Sequence, residues 1–93
     1  MVTQQDEMIG IKAEFDQRTQ LIIAENKATI DRFEAEIKHN KAMIEIAEKT
    51  KEIDPQRAKK YDELIKSLRK QILTAEEQIS MLKDSLKRLQ KIA

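Results

Sequence analysis

The second half of the chain carries apolar residues at alternating steps of three and four: Ile65, Leu68, Ile72, Ala75, Ile79, Leu82, Leu86 and Leu89. This is the a and d pattern of a heptad. It predicts a long helix whose apolar seam faces another helix. The a positions are Ile65, Ile72, Ile79 and Leu86, and Tyr61 joins the d positions ahead of Leu68. The first half keeps the same phase, with a at Ile23, Ile30, Ile37 and Ile44 and d at Asn26, Phe33, Asn40 and Ala47. Before Ile23 the pattern changes. Asp16 falls at a, and the apolar stripe passes to Met8, Ile11, Phe15 and Ile22. Ile11, Ile22, Phe33 and Ile44 recur at a spacing of eleven. That period straightens or reverses a supercoil, so the first half is expected to supercoil weakly.

Helix ends are marked at three places. Thr3-Gln4-Gln5-Asp6 has the layout of a capping box, so the first helix should start near Gln4. Gly10 costs about 1 kcal/mol against Ala inside a helix, which predicts fraying or a hinge there. Ile53-Asp54-Pro55 is the strong break. Asp54 can cap a new helix, Pro55 suits its first position, and Ile53 and Ala58 stand where a hydrophobic staple would sit. Within a continuous helix Pro55 would remove a hydrogen bond and clash with the preceding turn, at about 3 kcal/mol. The expected layout is one domain over residues 1–93: helix 1 at about 4–51, a turn at about 52–54, and helix 2 at about 55–92.

Composition narrows the class. Charged residues make up 38% and aromatics 3%, with one Gly and one Pro. That combination belongs to long helices and coiled coils, not to globules with a bulky core. The net charge of +1 gives the whole chain no strong pull toward nucleic acid or anionic lipid. There is no Cys, so no disulfide or thiolate chemistry is available. No signal-peptide pattern and no run of 18 apolar residues is present. The expected setting is the cytoplasm or, for a viral chain, the virion or host cytoplasm.

Charge divides unevenly between the halves. Residues 1–54 hold 8 Lys/Arg against 12 Asp/Glu, and residues 55–93 hold 10 against 5. An acidic helix followed by a basic one favours antiparallel pairing. In such a pair the numbers of facing a and d residues add to a constant. A sum of 105 gives Ile44–Tyr61, Ile37–Leu68, Ile30–Ala75 and Ile23–Leu82 as layers, with Lys41–Asp62, Glu34–Arg69 and Lys27–Glu76 as attractive e pairs. One heptad further, at 112, level e residues repel: Glu48–Asp62, Lys41–Arg69, Glu34–Glu76 and Lys27–Lys83. Each exposed pair contributes only about 0.2–1 kcal/mol, but their agreement in sign selects 105. The expectation is an all-α, two-helix antiparallel coiled-coil hairpin that assembles into a helical bundle, with helix 1 overhanging by about ten residues. The rival is one long kinked helix in a parallel bundle, favoured by the unbroken heptad phase across Pro55.

Several surfaces remain. The g side carries Met8, Phe15, Ile22, Met43, Leu64 and Ile92, with Phe15 expected to meet Ile92 and Met43 to meet Leu64. A second file of small and apolar residues runs through Leu21, Ala24, Ala28, Ala35, Ala42 and Ile46. Leu73 and Met81 lie on the outer face of helix 2, and Met8 and Ile11 on the overhang. Met8, Ile11, Phe15, Ile22, Met43, Leu64, Leu73, Met81 and Ile92 form the candidate interaction surface; along the second file, Ala is also simply the best helix former. Asn26 and Asn40 occupy seam positions, where a buried Asn fixes register or oligomer state. Lys59, Lys60, Lys66 and Lys70 form a basic group that could contact phosphate. No aromatic is interleaved for base stacking. Glu36 and His39 have the Glu-x-x-His spacing of di-iron bundles, but His39 falls at c, facing water, and no second motif exists. Ser67, Ser80 and Ser85 have no nearby His to activate them. No catalytic, cofactor or metal residue is therefore expected.

In architecture the expected hairpin resembles the Rop-type dimer of hairpins and small phage and bacterial coiled-coil proteins. The favoured expectation is a non-enzymatic protein-interaction module: an assembly or scaffold component, an adaptor, or an inhibitor of a larger target. Its expected partners are a second copy of itself, as a homodimer, and another protein. The alternative is a Rop-like nucleic-acid binder that uses the four lysines.

Overall fold

A computed structural model describes the backbone of residues 4–92 and the side chains of residues 12–92. It contains two long helices, α1 (Gln4–Ile53) and α2 (Ala58–Ile92), joined by Asp54 and one 3-10 turn, Pro55–Arg57. No strand occurs among the described residues. Buried residues of α1 pack against buried residues of α2, so the chain reverses at Pro55 and forms a helical hairpin. The Cα radius of gyration is 22.3 Å; a compact chain of this length has about 12 Å. The hairpin is a rod.

The reversal is tighter than the sequence implies. The Asp54 amide donates to the Thr50 carbonyl at 2.8 Å, so helical bonding continues to the end of α1, two residues beyond the expected stop. Asp54 then leaves the helical region, at φ −126° and ψ 74°. The Pro55 ring crowds the α conformation of the residue before it, and Pro55 has no amide to extend the ladder. The Asp54 carbonyl accepts from the Arg57 amide at 3.2 Å and closes the 3-10 turn. Two expectations fail here. The Asp54 side chain does not cap; its carboxylate lies 3.6 Å from Arg57 Nε. Ile53 does not staple onto Ala58 either, being 84% exposed. Because α1 stays helical through Ile53, that residue keeps heptad position c and faces away from α2. The Thr3–Asp6 capping box lies outside the described residues. α1 runs unbroken through Gly10, where the expected hinge is absent from the backbone.

Burial follows the heptad closely. From Asp16 to Lys51 in α1, and from Ala58 to Leu89 in α2, every a and d residue is buried or half-buried. Thr19 at d is buried, and its hydroxyl donates to the Phe15 carbonyl at 2.8 Å, satisfying it without a partner from α2. The expected drift of the seam toward Ile22 and Phe15 does not occur, for these residues are 44% and 51% exposed. Thr19 and Asp16 can hold the seam because it is ending there: beyond Asp16 the described side chains are exposed.

The register differs from the one selected by charge. Asp62 pairs with Lys51 at 2.6 Å, not with Lys41, and Arg69 with Glu48 at 3.3 Å, not with Glu34. Asn40 Nδ2 donates to Gln71 Oε1 at 3.4 Å. Ile23, Ile30, Ile79 and Leu86 form one buried cluster, closed by Phe33, Ile37, Leu82 and Leu89. A sum of 112 puts Ile23 with Leu89, Ile30 with Leu82 and Phe33 with Ile79. At 105, Leu89 would stand level with Asp16 and Leu86 with Thr19, and both leucines would lose apolar partners. Burying a Leu contributes about 1.5–3 kcal/mol, more than a surface ion pair. A sum of 112 also centres the reversal on Gln56, inside the 3-10 turn; 105 centres it between Glu52 and Ile53, which are helical. The repulsion anticipated at 112 is relieved by geometry. Helical side chains lean toward their own N-terminus, so Arg69 reaches diagonally to Glu48. Signs alternate along this flank, so an attractive partner lies one heptad from each repulsive one.

Candidate interaction surface

Two flanks border the seam. On the e flank lie Lys27, Glu34, Lys41 and Glu48 of α1 and Asp62, Arg69, Glu76 and Lys83 of α2, all exposed. On the g flank lie Phe15, Ile22, Thr29, Met43, Thr50, Leu64, Gln71, Gln78, Ser85 and Ile92, with Glu36 and Arg57 as its charged members. Outside a, d and the turn residue Asp54, the half-buried residues among those described are Thr29, Met43, Thr50 and Ser85. All four are at g. The seam is therefore asymmetric: it opens toward the uncharged flank and is shut off by charge on the other.

The sequence-predicted contact residues fall into three groups. Ile22, Met43, Leu64, Phe15 and Ile92 share the g flank. Phe15 and Ile92 are 51% and 64% exposed, so their expected meeting shields neither, and Leu64, expected to meet Met43, is 42% exposed. A one-heptad change of register accounts for this, because it moves Ile92 from the level of Phe15 to that of Ile22, and Leu64 from the level of Met43 to that of Thr50. Leu73 and Met81 stand on the outer face of α2, 58% and 63% exposed. The Met8 and Ile11 side chains lie outside the described residues. Leu21 and Ile46, from the file of small residues, are 61% and 57% exposed. The residue that sequence reasoning misplaced is Ile53 at the tip. Its heptad position c was the signal available.

Asn40 is buried and bonded to Gln71, and no described buried side-chain nitrogen or oxygen lacks a partner. Lys59, Lys60, Lys66 and Lys70 are all exposed. Lys66 and Lys70 line a shallow groove on α2 with Glu63, Ser67, Arg69 and Leu73, while Lys59 and Lys60 lie nearer the turn. His39 is exposed, and no group of three metal-ligating side chains occurs among the described residues. No described helix is long and apolar enough to cross a membrane. No family model, curated protein or solved structure matches this chain.

Proposed function

We propose that the chain is a non-enzymatic coiled-coil interaction module of the cytoplasm, acting as an assembly component, adaptor or inhibitor of a larger protein. The observation that carries this reading is the set of large apolar side chains left in solvent on an otherwise well-formed rod. Leu21, Ile46, Leu73, Met81 and Ile92 are each more than half exposed. Scattered apolar residues are common on protein surfaces, but helical faces with apolar groups on successive turns are what helix-in-groove recognition reads. Leu73 and Met81 lie eight residues apart, about two turns, on the outer face of α2. The overhang before Asp16 supplies a second surface, since α2 does not cover it.

The test is affinity purification with the full chain, with nuclease treatment in parallel. This reading predicts a protein partner whose capture survives nuclease and is lost with Leu73→Lys/Met81→Lys or on deletion of residues 1–11. A specific observation favours one alternative: Lys66, Arg69 and Lys70 share a groove on α2, an arrangement that suits phosphate. A nucleic-acid binder would show a salt-sensitive shift of RNA or DNA, abolished by neutralising Lys59, Lys60, Lys66 and Lys70. That result, with no nuclease-resistant partner, would replace the first reading.

A further inference from the structure

We infer that the g flank is the interface for a second copy of this chain, and that the two hairpins lie with their turns at the same end. α1 of each copy then packs against α2 of the other. The inference deepens the interaction reading and rests on it in one respect: the flank serves protein contact.

The hairpin exposes more surface than a compact chain of its mass. The chain exposes 7843 Å², whereas a compact monomer of its mass exposes about 5,600 Å². The excess of about 2,200 Å² lies within the range each partner covers in an obligate homodimer, about 1,000–2,500 Å². Burial within the hairpin is correspondingly thin. Among the described residues nine apolar ones are buried, and no large side chain falls below 2% exposure. Scaffolds with one seam generally need a further source of stability.

Charge distinguishes the two flanks. A surface that meets its own copy must not set like charges against each other. The e flank carries a full charge at every position from Lys27 to Glu48 and from Asp62 to Lys83. The g flank carries Thr29, Thr50, Gln71, Gln78 and Ser85, uncharged groups that can hydrogen-bond to their own kind, between Ile22, Met43 and Leu64, and its charges among the described residues are limited to Glu36 and Arg57. The half-burial of Met43 and Thr29 shows the seam already opening on that side.

The orientation follows from the helix charges. Residues 1–54 carry 8 basic and 12 acidic groups; residues 55–93 carry 10 and 5. A twofold axis along the rod sets acidic α1 against basic α2 of the partner in both contacts. A twofold axis across the rod sets α1 against α1 and α2 against α2, so both contacts repel. Packed helices are about 8–10 Å apart, close to the screening length of about 8 Å at physiological salt, so the difference is felt.

The chain has no Cys, so one introduced thiol reports on this arrangement. Glu52→Cys, on an exposed residue at the end of α1, carries a nitroxide label, and pulsed dipolar spectroscopy reads the distance between copies. Same-end packing predicts a single separation of roughly 15–30 Å, from neighbouring helices about 10 Å apart plus the label arms. Gln90→Cys, at the opposite end, should give a similarly short distance, and it keeps the test decisive if Glu52→Cys fails to fold. Opposite-end packing would separate either pair by about 50 Å, the length of α2, and would overturn the orientation. Absence of any dipolar coupling between copies in the folded full chain would overturn the interface itself. Neither negative outcome touches the partner-capture experiment, which reads a different protein.

Discussion

The two flanks of this hairpin border the same seam yet meet water differently. On the e flank every position from Lys27 to Glu48 and from Asp62 to Lys83 is charged and exposed. On the g flank the chain places mostly Thr, Ser, Gln, Met, Ile and Leu, with Glu36 and Arg57 as its charges, and Thr29, Met43, Thr50 and Ser85 are half-buried. The charged flank keeps solvent and discourages further helices. The uncharged flank leaves the seam unfinished. The contrast teaches that a coiled-coil seam has sides, and that the side without charge is where another helix is to be sought.

The largest expected effect comes from the seam that both flanks share. Ile79→Ala, in the cluster with Ile23, Ile30 and Leu86, should destabilise the hairpin by about 2–4 kcal/mol. Denaturant unfolding measures it. A loss under about 1 kcal/mol would mean that this cluster is not where the stability resides.

Next come substitutions that give the g flank the chemistry of the other flank. Met43→Glu or Ile22→Glu should weaken self-association tenfold or more, equal to about 1.4 kcal/mol. Lys66→Glu, on the outer face of α2, should change it little. Sedimentation at several concentrations reads both, and equal effects would erase the distinction between the surfaces.

Asn40 tests whether polarity in the seam sets specificity. Asn40→Leu removes a buried amide whose hydrogen bond to Gln71 is 3.4 Å long. The melting temperature should rise, by about 1 kcal/mol of added stability, while the distribution of oligomers broadens. A melt paired with native mass spectrometry checks both, and a lower melting point would reverse the account of this residue.

The smallest effect concerns the register. In a double-mutant cycle, Glu48 and Arg69 should couple by about 0.2–1 kcal/mol, and Glu34 and Arg69 should not couple. The opposite pattern would restore the register that charge alone selects.

That register shows where the sequence was legible and where it was not. The heptad was plain, because Ile and Leu at a and d have one stable place in a two-helix rod. The break at Pro55 was equally plain, because proline lacks the amide a continuous helix requires. The pairing was not, and the reason lies in the e flank. Its signs alternate from Lys27 to Glu48 and from Asp62 to Lys83, so favourable partners recur every second heptad. Glu34–Arg69 and Glu48–Arg69 look alike when only signs are read. The decision was made elsewhere, by the tightness of the turn at Asp54 and by the need of Leu86 and Leu89 for apolar partners. The candidate surface was legible in part. Ile22, Met43 and Leu64 stand on one flank as the heptad implies. The Phe15–Ile92 contact depended on register and was lost with it. Ile53 was misplaced because α1 continues two residues past its expected end.

The most direct test of the central claim, that the uncharged flank holds a second copy, is the mass of the full chain in solution. Multi-angle light scattering at tens of micromolar, at physiological salt, should return twice the chain mass of 10.9 kDa, with a helical circular dichroism spectrum. A well-folded species at 10.9 kDa would show that the hairpin is complete with its flank in water, and would contradict the account.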